Sequence, residues 1–224
     1  CGFVGFTNHI DNSNVVLGEM LDKIKHRAGA EGTYIDEDIA LGHRRLSIID
    51  VSDAGTQPLY SEDGNLALLF NGEIYNYQDD PLPSDGAAIT CHPDRLRGAD
   101  LRLPGVRRRT APAAAWNVLL RDRGISSEKK LFGARDFFGI KPCTMQDGRD
   151  IPVRLGNQEL SVPSALQKGA EHAALENYLT FQYSPCDETF FQGVYKLPPA
   201  HYFTYQNGKF EMKRYWDVHF QGRP

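Results

Sequence analysis

Cys1-Gly2-Phe3-Val4-Gly5 opens the chain, with no methionine in front of the cysteine. If Cys1 is the mature terminus, as its position suggests, one residue carries both a thiol and a free α-amino group. The reference pKa of such an amine is near 8, roughly two units below a lysine. At neutral pH a useful fraction is unprotonated and can take the proton from the adjacent sulfur, directly or through a water. A nucleophile and its base then belong to one residue, a known variant of covalent catalysis. Position alone leaves a second reading open, in which Cys1 is a small buried hydrophobe at an arbitrary boundary. The rest of the sequence decides between them.

The 224 residues and the net charge of −4 give no global pull toward nucleic acid or an anionic membrane. Apolar runs are only a few residues long, too short to span a bilayer. No charged-then-apolar leader precedes the first strand, and Cys1, Cys91, Cys143 and Cys186 are scattered without a C-x-x-C pair or metal-like spacing to histidine. The expectation is a cytoplasmic protein with free thiols and no structural zinc.

Outward from the first strand, Val16, Leu17, Met20, Leu21 and Ile24 fall at helical spacing, predicting an amphipathic helix over Val15 to His26. Gly32 to Ile39 and Ala40 to Asp50 read as a hairpin leading into a strand. Leu66 to Phe70 is a further apolar run ending at Asn71-Gly72, a strong tight-turn signal. Lys130 to Asp136 reads as a strand entering a loop, Ala173 to Gln182 as a short helix, and Phe190 to Tyr195 and His201 to Tyr205 as strands. Successive strands with hairpin-like joins favour antiparallel sheets.

Several motifs converge on one family. They are the opening Cys-Gly-x-Val-Gly, Leu41-Gly42-His43-Arg44-Arg45-Leu46-Ser47-Ile48-Ile49-Asp50, and Asn71-Gly72-Glu73-Ile74-Tyr75-Asn76-Tyr77. Arg135-Asp136-x-Phe138-Gly139-Ile140-Lys141-Pro142 and Tyr178-Leu179-x-Phe181-x-Tyr183-x-Pro185, with a tail to Tyr215-Trp216, join them. In this order the chain resembles the glutaminase domain of glutamine-hydrolysing asparagine synthetase, a class II glutamine amidotransferase of the N-terminal-nucleophile hydrolase type. The resemblance implies an α+β fold, a four-layer αββα sandwich of two antiparallel sheets over residues 1–216. Residues 217–224 would start a linker to a C-terminal synthetase domain.

The resemblance also implies roles. Cys1 would attack the side-chain amide carbon of L-glutamine, release ammonia and leave a γ-glutamyl thioester for water. The Asn71 side chain and the Gly72 N–H would hold the oxyanion. Arg45 would grip the substrate α-carboxylate, the backbone of Leu46, Ser47, Ile48 and Ile49 would line the pocket, and Glu73 would help bind the α-amino end. Arg135 to Pro142 would be a rigid loop beside the site without direct chemistry. This chain would need no cofactor. ATP and Mg would serve the synthetase domain that uses the ammonia to make asparagine from aspartate. A homodimer is compatible with this reading. Glucosamine-6-phosphate synthase and phosphoribosyl-pyrophosphate amidotransferase share the terminal cysteine but lack the Gly-His-Arg-Arg-Leu-Ser-Ile-Ile-Asp and Gly-Ile-Lys-Pro signatures.

Two segments, 80–130 and 150–171, depart from the family. The first has Trp116 as its only aromatic and crowds Arg95, Arg97, Arg102 and Arg107 to Arg109 among prolines and alanines; the second has no aromatic at all. Back-translating His92 to Arg107 and dropping one nucleotide yields I-R-T-D-S-E-V-L-I-C-A-Y-Q-E-Y-G. The same shift turns Ala115 to Arg123 into H-G-M-F-S-F-V-I and Asp150 to Ser161 into T-F-L-F-G-S-E-I-K-S-F. Three recoveries in one frame point to compensating insertions or deletions in the gene or its sequencing. Re-sequencing the source DNA should show a broken frame; an unbroken one encoding Arg95 to Arg109 ends the idea. As printed, no residue matches the family's substrate-amine-binding aspartate, although Asp94 and Asp100 are nearby. With so little apolar periodicity, 80–130 is expected to be irregular and its core strands lost. A catalytically dead domain, and an RNA- or DNA-contacting arm at Arg95 to Arg109, are the competing readings. The acidic net charge and the lack of interleaved aromatics argue against the second.

Overall fold

A computed structural model describes residues 1–7, 11–48, 53–60, 64–74, 114–122, 129–146, 154–156 and 169–218. Within them the chain forms two antiparallel sheets packed face to face, the α+β sandwich expected from the sequence. The first sheet has the order β10-β8-β9-β1-β3-β2 and the second β12-β11-β7-β6-β5-β4. Strands β1 (Gly2–Thr7), β2 (Ala30–Ile35), β3 (Ile39–Arg45), β8 (Thr144–Gln146), β9 (Arg154–Gly156) and β10 (Val194–Lys196) build the first. Strands β4 (Leu59–Tyr60), β5 (Leu66–Ile74), β6 (Ala114–Asp122), β7 (Lys130–Arg135), β11 (His201–Gln206) and β12 (Lys209–Arg214) build the second.

The period-2 alternation of strand side chains explains why both faces of the leading strand are apolar. Phe3 enters the seam between the sheets with Leu41, Ala67, Leu69, Leu131 and Phe203. Val4 and Phe6 point the other way, onto Leu17, Met20, Leu21 and Ile24. Those four belong to helix α1 (Ser13–Lys23) and the residue that follows it. A Cβ at Gly42 would lie 2.9 Å from a Leu21 methyl, so glycine lets α1 rest on the backbone of β3. Arg44 tethers the same helix, donating to the Leu21 carbonyl at 2.8 Å and pairing with Glu31 at 2.7 Å. Helix α2 (His172–Phe181) packs Tyr178 edge-on against Phe190 ahead of β10.

Three expectations need correction. Asn71-Gly72 is no hairpin turn. Strand β5 runs straight through it, with Asn71 opposite Asn117 and Gly72 opposite Trp116. The turn preference is a local one, and pairing with a neighbouring strand overrides it. Segment 80–130 is not irregular throughout, because Ala114–Asp122 forms β6 between β5 and β7, and Arg154–Gly156 likewise forms β9 between β8 and β1. Ladder hydrogen bonds come from backbone, so a strand flanked on both sides forms despite a poor side-chain pattern. Residues 75–113, 123–128, 147–153 and 157–168 lie outside the described set, and with them most of both departures and Asp94 and Asp100. Finally, the expected strand at Phe190 to Tyr195 begins only at Val194. Gly193 takes a left-handed turn there (φ 74°), and Phe191 makes a single bridge to Ala170.

The loop after β7 is rigid for a physical reason. The fully buried Asp136 carboxylate accepts N–H bonds from Phe138, Ile140 and Lys141 at 3.0–3.1 Å. Arg135 donates to the carbonyls of Lys141, Gly139 and Leu197 at 2.8, 2.6 and 2.5 Å. A buried charge needs such partners, and here they clamp 136–141 from both sides.

Candidate active site

Register and alternation bring the predicted residues to one end of the inter-sheet seam. β1 and β3 are antiparallel with Gly2 opposite Arg44, so Cys1 lies across from Arg45. Cys1 shares the seam-facing side of β1 with Phe3, and Arg45 shares that side of β3 with Leu41 and His43. In the second sheet Ala67 and Leu69 enter the seam while Leu66, Leu68 and Phe70 line the outer face. Asn71, two residues beyond Leu69, therefore enters the seam as well.

The sulfur is pinned by the backbone of one residue. Leu46 N–H donates to Cys1 Sγ at 3.3 Å, and Sγ–H donates to the Leu46 carbonyl at 3.6 Å. Arg27 donates from Nε to the Cys1 carbonyl at 2.8 Å. The α-amine is pushed below its ordinary value, first by burial and then by the cationic Arg27 and Lys141. A lowered amine is unprotonated at neutral pH more often than a free terminus, which suits it to accept a proton.

The site is tied across the seam. His43 Nε2 donates to the Phe70 carbonyl at 3.2 Å, joining β3 to β5 one residue before Asn71. Gln57 grips the same residue, its Oε1 accepting from Phe70 N–H at 2.6 Å and its Nε2 donating to the Phe70 carbonyl at 3.0 Å. Against this rigid backing, the buried Asn71 side-chain nitrogen has no hydrogen-bond partner among the described residues. An unmet buried donor costs about 1–3 kcal/mol. Such a donor, set firmly in the seam that the leading strand also lines, is what a ligand oxygen would complete.

Burial pushes His43 down to about 4, so the ring is neutral at pH 7. In the unfolded chain its ordinary value is 6.5. Between those values the unfolded state binds the extra proton, so folding stability falls as pH drops from about 6.5 toward 4. About 2 kcal/mol should be lost from this group between pH 7 and pH 5. Urea unfolding of the parent and His43→Gln at both pH values checks this: the parent loses the stability and the variant, which keeps an amide donor, does not.

Leu46, whose backbone meets the thiol, is exposed, as are Ser47 and Ile48. Arg45 is half-buried at the end of β3. Gly72 continues the strand beyond Asn71. Ile49 and the side chain of Glu73 lie outside the described residues, as do Tyr75 to Tyr77 of the third motif. Sequence reasoning gave no site role to Arg27 or Gln57 and no contact between Lys141 and the amine. Gln57 and Lys141 carry no local signal; Arg27 does, since His26-Arg27 matches the start of the family's His-Arg-Gly-Pro-Asp motif. Among the described residues no cluster of metal-ligating side chains occurs, and no helix is long and apolar enough to cross a membrane.

A model of the glutamine amidotransferase domain matches residues 1–91 and 117–216. Asparagine synthetase [glutamine-hydrolyzing] 1 of Bacillus subtilis (strain 168) is 30% identical over 240 residues, which take in 99% of this chain and 36% of that protein. Amidase chry2 of Gibberella zeae is 29% identical, covering 98% of this chain and 35% of its own length. The chain thus spans about a third of these relatives. Among solved structures, the glutamine phosphoribosylpyrophosphate amidotransferase of B. subtilis with ADP and GMP superimposes with a TM-score of 0.58 at 13% identity. It covers 96% of this chain and 49% of that one, and shows that the two share a fold.

Proposed function

From the premise that this chain belongs to the glutamine amidotransferase domain family, we propose that it hydrolyses glutamine to glutamate and ammonia through a thioester on Cys1. The observation that carries the reading is the Asn71 amide nitrogen, buried without a partner among the described residues in the seam that the leading strand lines.

The α-amine takes the thiol proton as Sγ attacks the carboxamide carbon of glutamine. The carbonyl π electrons move onto oxygen, and Asn71 with the Gly72 N–H receives the oxyanion. One such donor contributes about 3–4 kcal/mol of barrier lowering. Collapse re-forms the carbonyl and breaks the C–N bond, and the α-ammonium returns its proton so that nitrogen leaves as ammonia. A water then attacks the γ-glutamyl thioester, the amine again acting as base, and glutamate departs with the thiol restored. Arg45 at the end of β3 supports the substrate α-carboxylate, with Leu46 to Ile49 along the wall and Glu73 toward the α-amino end.

The synthetase relatives support a role in which the ammonia passes to an ATP- and Mg-dependent domain that converts aspartate to asparagine. The names of the amidase relatives fit the same first step, attack on a carboxamide. Release of ammonia from L-glutamine by the purified chain, with glutamate formed in equal amount and no ammonia released from L-asparagine, tests the proposal. No release of glutamate by a folded parent would favour a catalytically inert domain.

A further inference from the structure

Strand β4 pairs with β5 over two residues, Leu59 opposite Leu68 and Tyr60 opposite Ala67. The same register carried two residues further sets Gln57 opposite Phe70, the residue that precedes Asn71. Gln57 lies outside β4, and its backbone turns toward the other sheet. A Cβ at Gly32 on β2 would stand 1.8 Å from the Gln57 carbonyl oxygen, so that carbonyl occupies space which only glycine leaves. The side chain bridges the gap to β5. Its Oε1 accepts from Phe70 N–H at 2.6 Å and its Nε2 donates to the Phe70 carbonyl at 3.0 Å. These are the two bonds that a backbone partner exchanges in an antiparallel ladder. Both residues are buried, so solvent does not replace the bond to Phe70 N–H if it is lost.

We propose that Gln57 is a positioning residue for the oxyanion donors: its carboxamide stands in for the strand that β4 does not continue, and so fixes β5 where Asn71 and Gly72 begin. This rests on the hydrolytic reading above for its kinetic consequence, but not for its effect on the backbone. On one side of β5 the ladder to β6 holds both donors, with Asn71 opposite Asn117 and Gly72 opposite Trp116. On the other side the paired residues of β4 stop at Leu68. His43 adds a bond from β3 to the Phe70 carbonyl, whereas Gln57 holds both backbone polar groups of that residue. Asn71 Nδ2 meets no partner among the described residues, so its aim depends on where the backbone beneath it sits. Misplacing a preorganised donor by about an ångström forfeits much of its effect on the transition state.

The test uses Gln57→Met, which keeps the length of the side chain and removes both bonds, and Gln57→Glu, which keeps the acceptor for Phe70 N–H. Each is made in the parent and in Asn71→Ala, and each is checked for the parent's far-UV spectrum. Two readouts are taken: steady-state glutamine hydrolysis, and amide hydrogen exchange of the peptide spanning residues 66–72. Gln57→Met is expected to lower kcat by about 10- to 100-fold with KM nearly unchanged, and to speed exchange in that peptide. Gln57→Glu should fall between it and the parent in both readouts, and it carries the test alone if Gln57→Met does not fold. In the Asn71→Ala background either change should cost less than about threefold more, because its effect passes through the donor already removed. A folded variant with the parent's exchange overturns the inference whether or not the parent hydrolyses glutamine. So does a loss of kcat that is as large without Asn71 as with it. A parent that shows no hydrolysis, with the faster exchange present, instead overturns the hydrolytic reading alone.

Discussion

Cys1→Ala should abolish release of glutamate and ammonia from glutamine, lowering the rate by roughly 10⁴-fold or more, while leaving the fold intact. The substitution removes the sulfur and nothing else of weight. The α-amine remains, and the Arg27 bond is unaffected because it ends on the backbone carbonyl. Cys1 is half-buried and packs in no core cluster, so stability should shift by less than about 1 kcal/mol. Parallel assays of hydrolysis and thermal melting check both halves. Comparable hydrolysis by parent and variant would mean that the sulfur is not the nucleophile.

Asn71→Ala should have the second-largest effect, with an unusual sign pattern. Loss of one oxyanion donor typically lowers kcat by 10²–10³-fold, about 3–4 kcal/mol. Among the described residues the same donor is buried without a partner. Its removal therefore lifts a desolvation penalty of about 1–3 kcal/mol, partly offset by the small cavity left behind. Activity should collapse while the unfolding midpoint holds or rises. Steady-state kinetics beside urea unfolding separates this from a structural role, in which both would fall together.

Much of this fold was readable because its strands are β-prone runs bounded by turn residues. β1 is a short buried run of small and β-prone residues, the β2–β3 hairpin, β7 and β11 are apolar stretches between turns, and the Asn207-Gly208 turn between β11 and β12 has a left-handed backbone. Helices α1 and α2 fall within a few residues of their periodic stretches. Asn71-Gly72 was misleading, because a turn signal is a statement about isolated peptide and β6 supplies a ladder that keeps the pair extended. β6 and β9 were illegible for the opposite reason: their sequence departs from any strand pattern, and their neighbours on both sides set their place.

The site divides the same way. Cys1, Arg45 and Asn71 were legible as motif members, and alternation then carries all three into one seam. The contact of Arg27 with the Cys1 carbonyl, His43 as a cross-sheet tie, and Gln57 as a clamp on Phe70 were not, since each depends on residues 13 to 27 positions away in sequence. Lys141 was placed in a structural loop, and that loop is indeed rigid. What sequence could not supply is that its cation reaches the Cys1 amine.

The most direct test is to mix the protein with excess L-glutamine, quench in acid within a turnover, and map adducts by peptide mass spectrometry. One glutamyl group on the peptide beginning at Cys1, removed by hydroxylamine and missing from Cys1→Ala, is the expected result. Glutamate production without any adduct at Cys1, or with the adduct on Cys143 or Cys186, would contradict covalent catalysis by the leading residue.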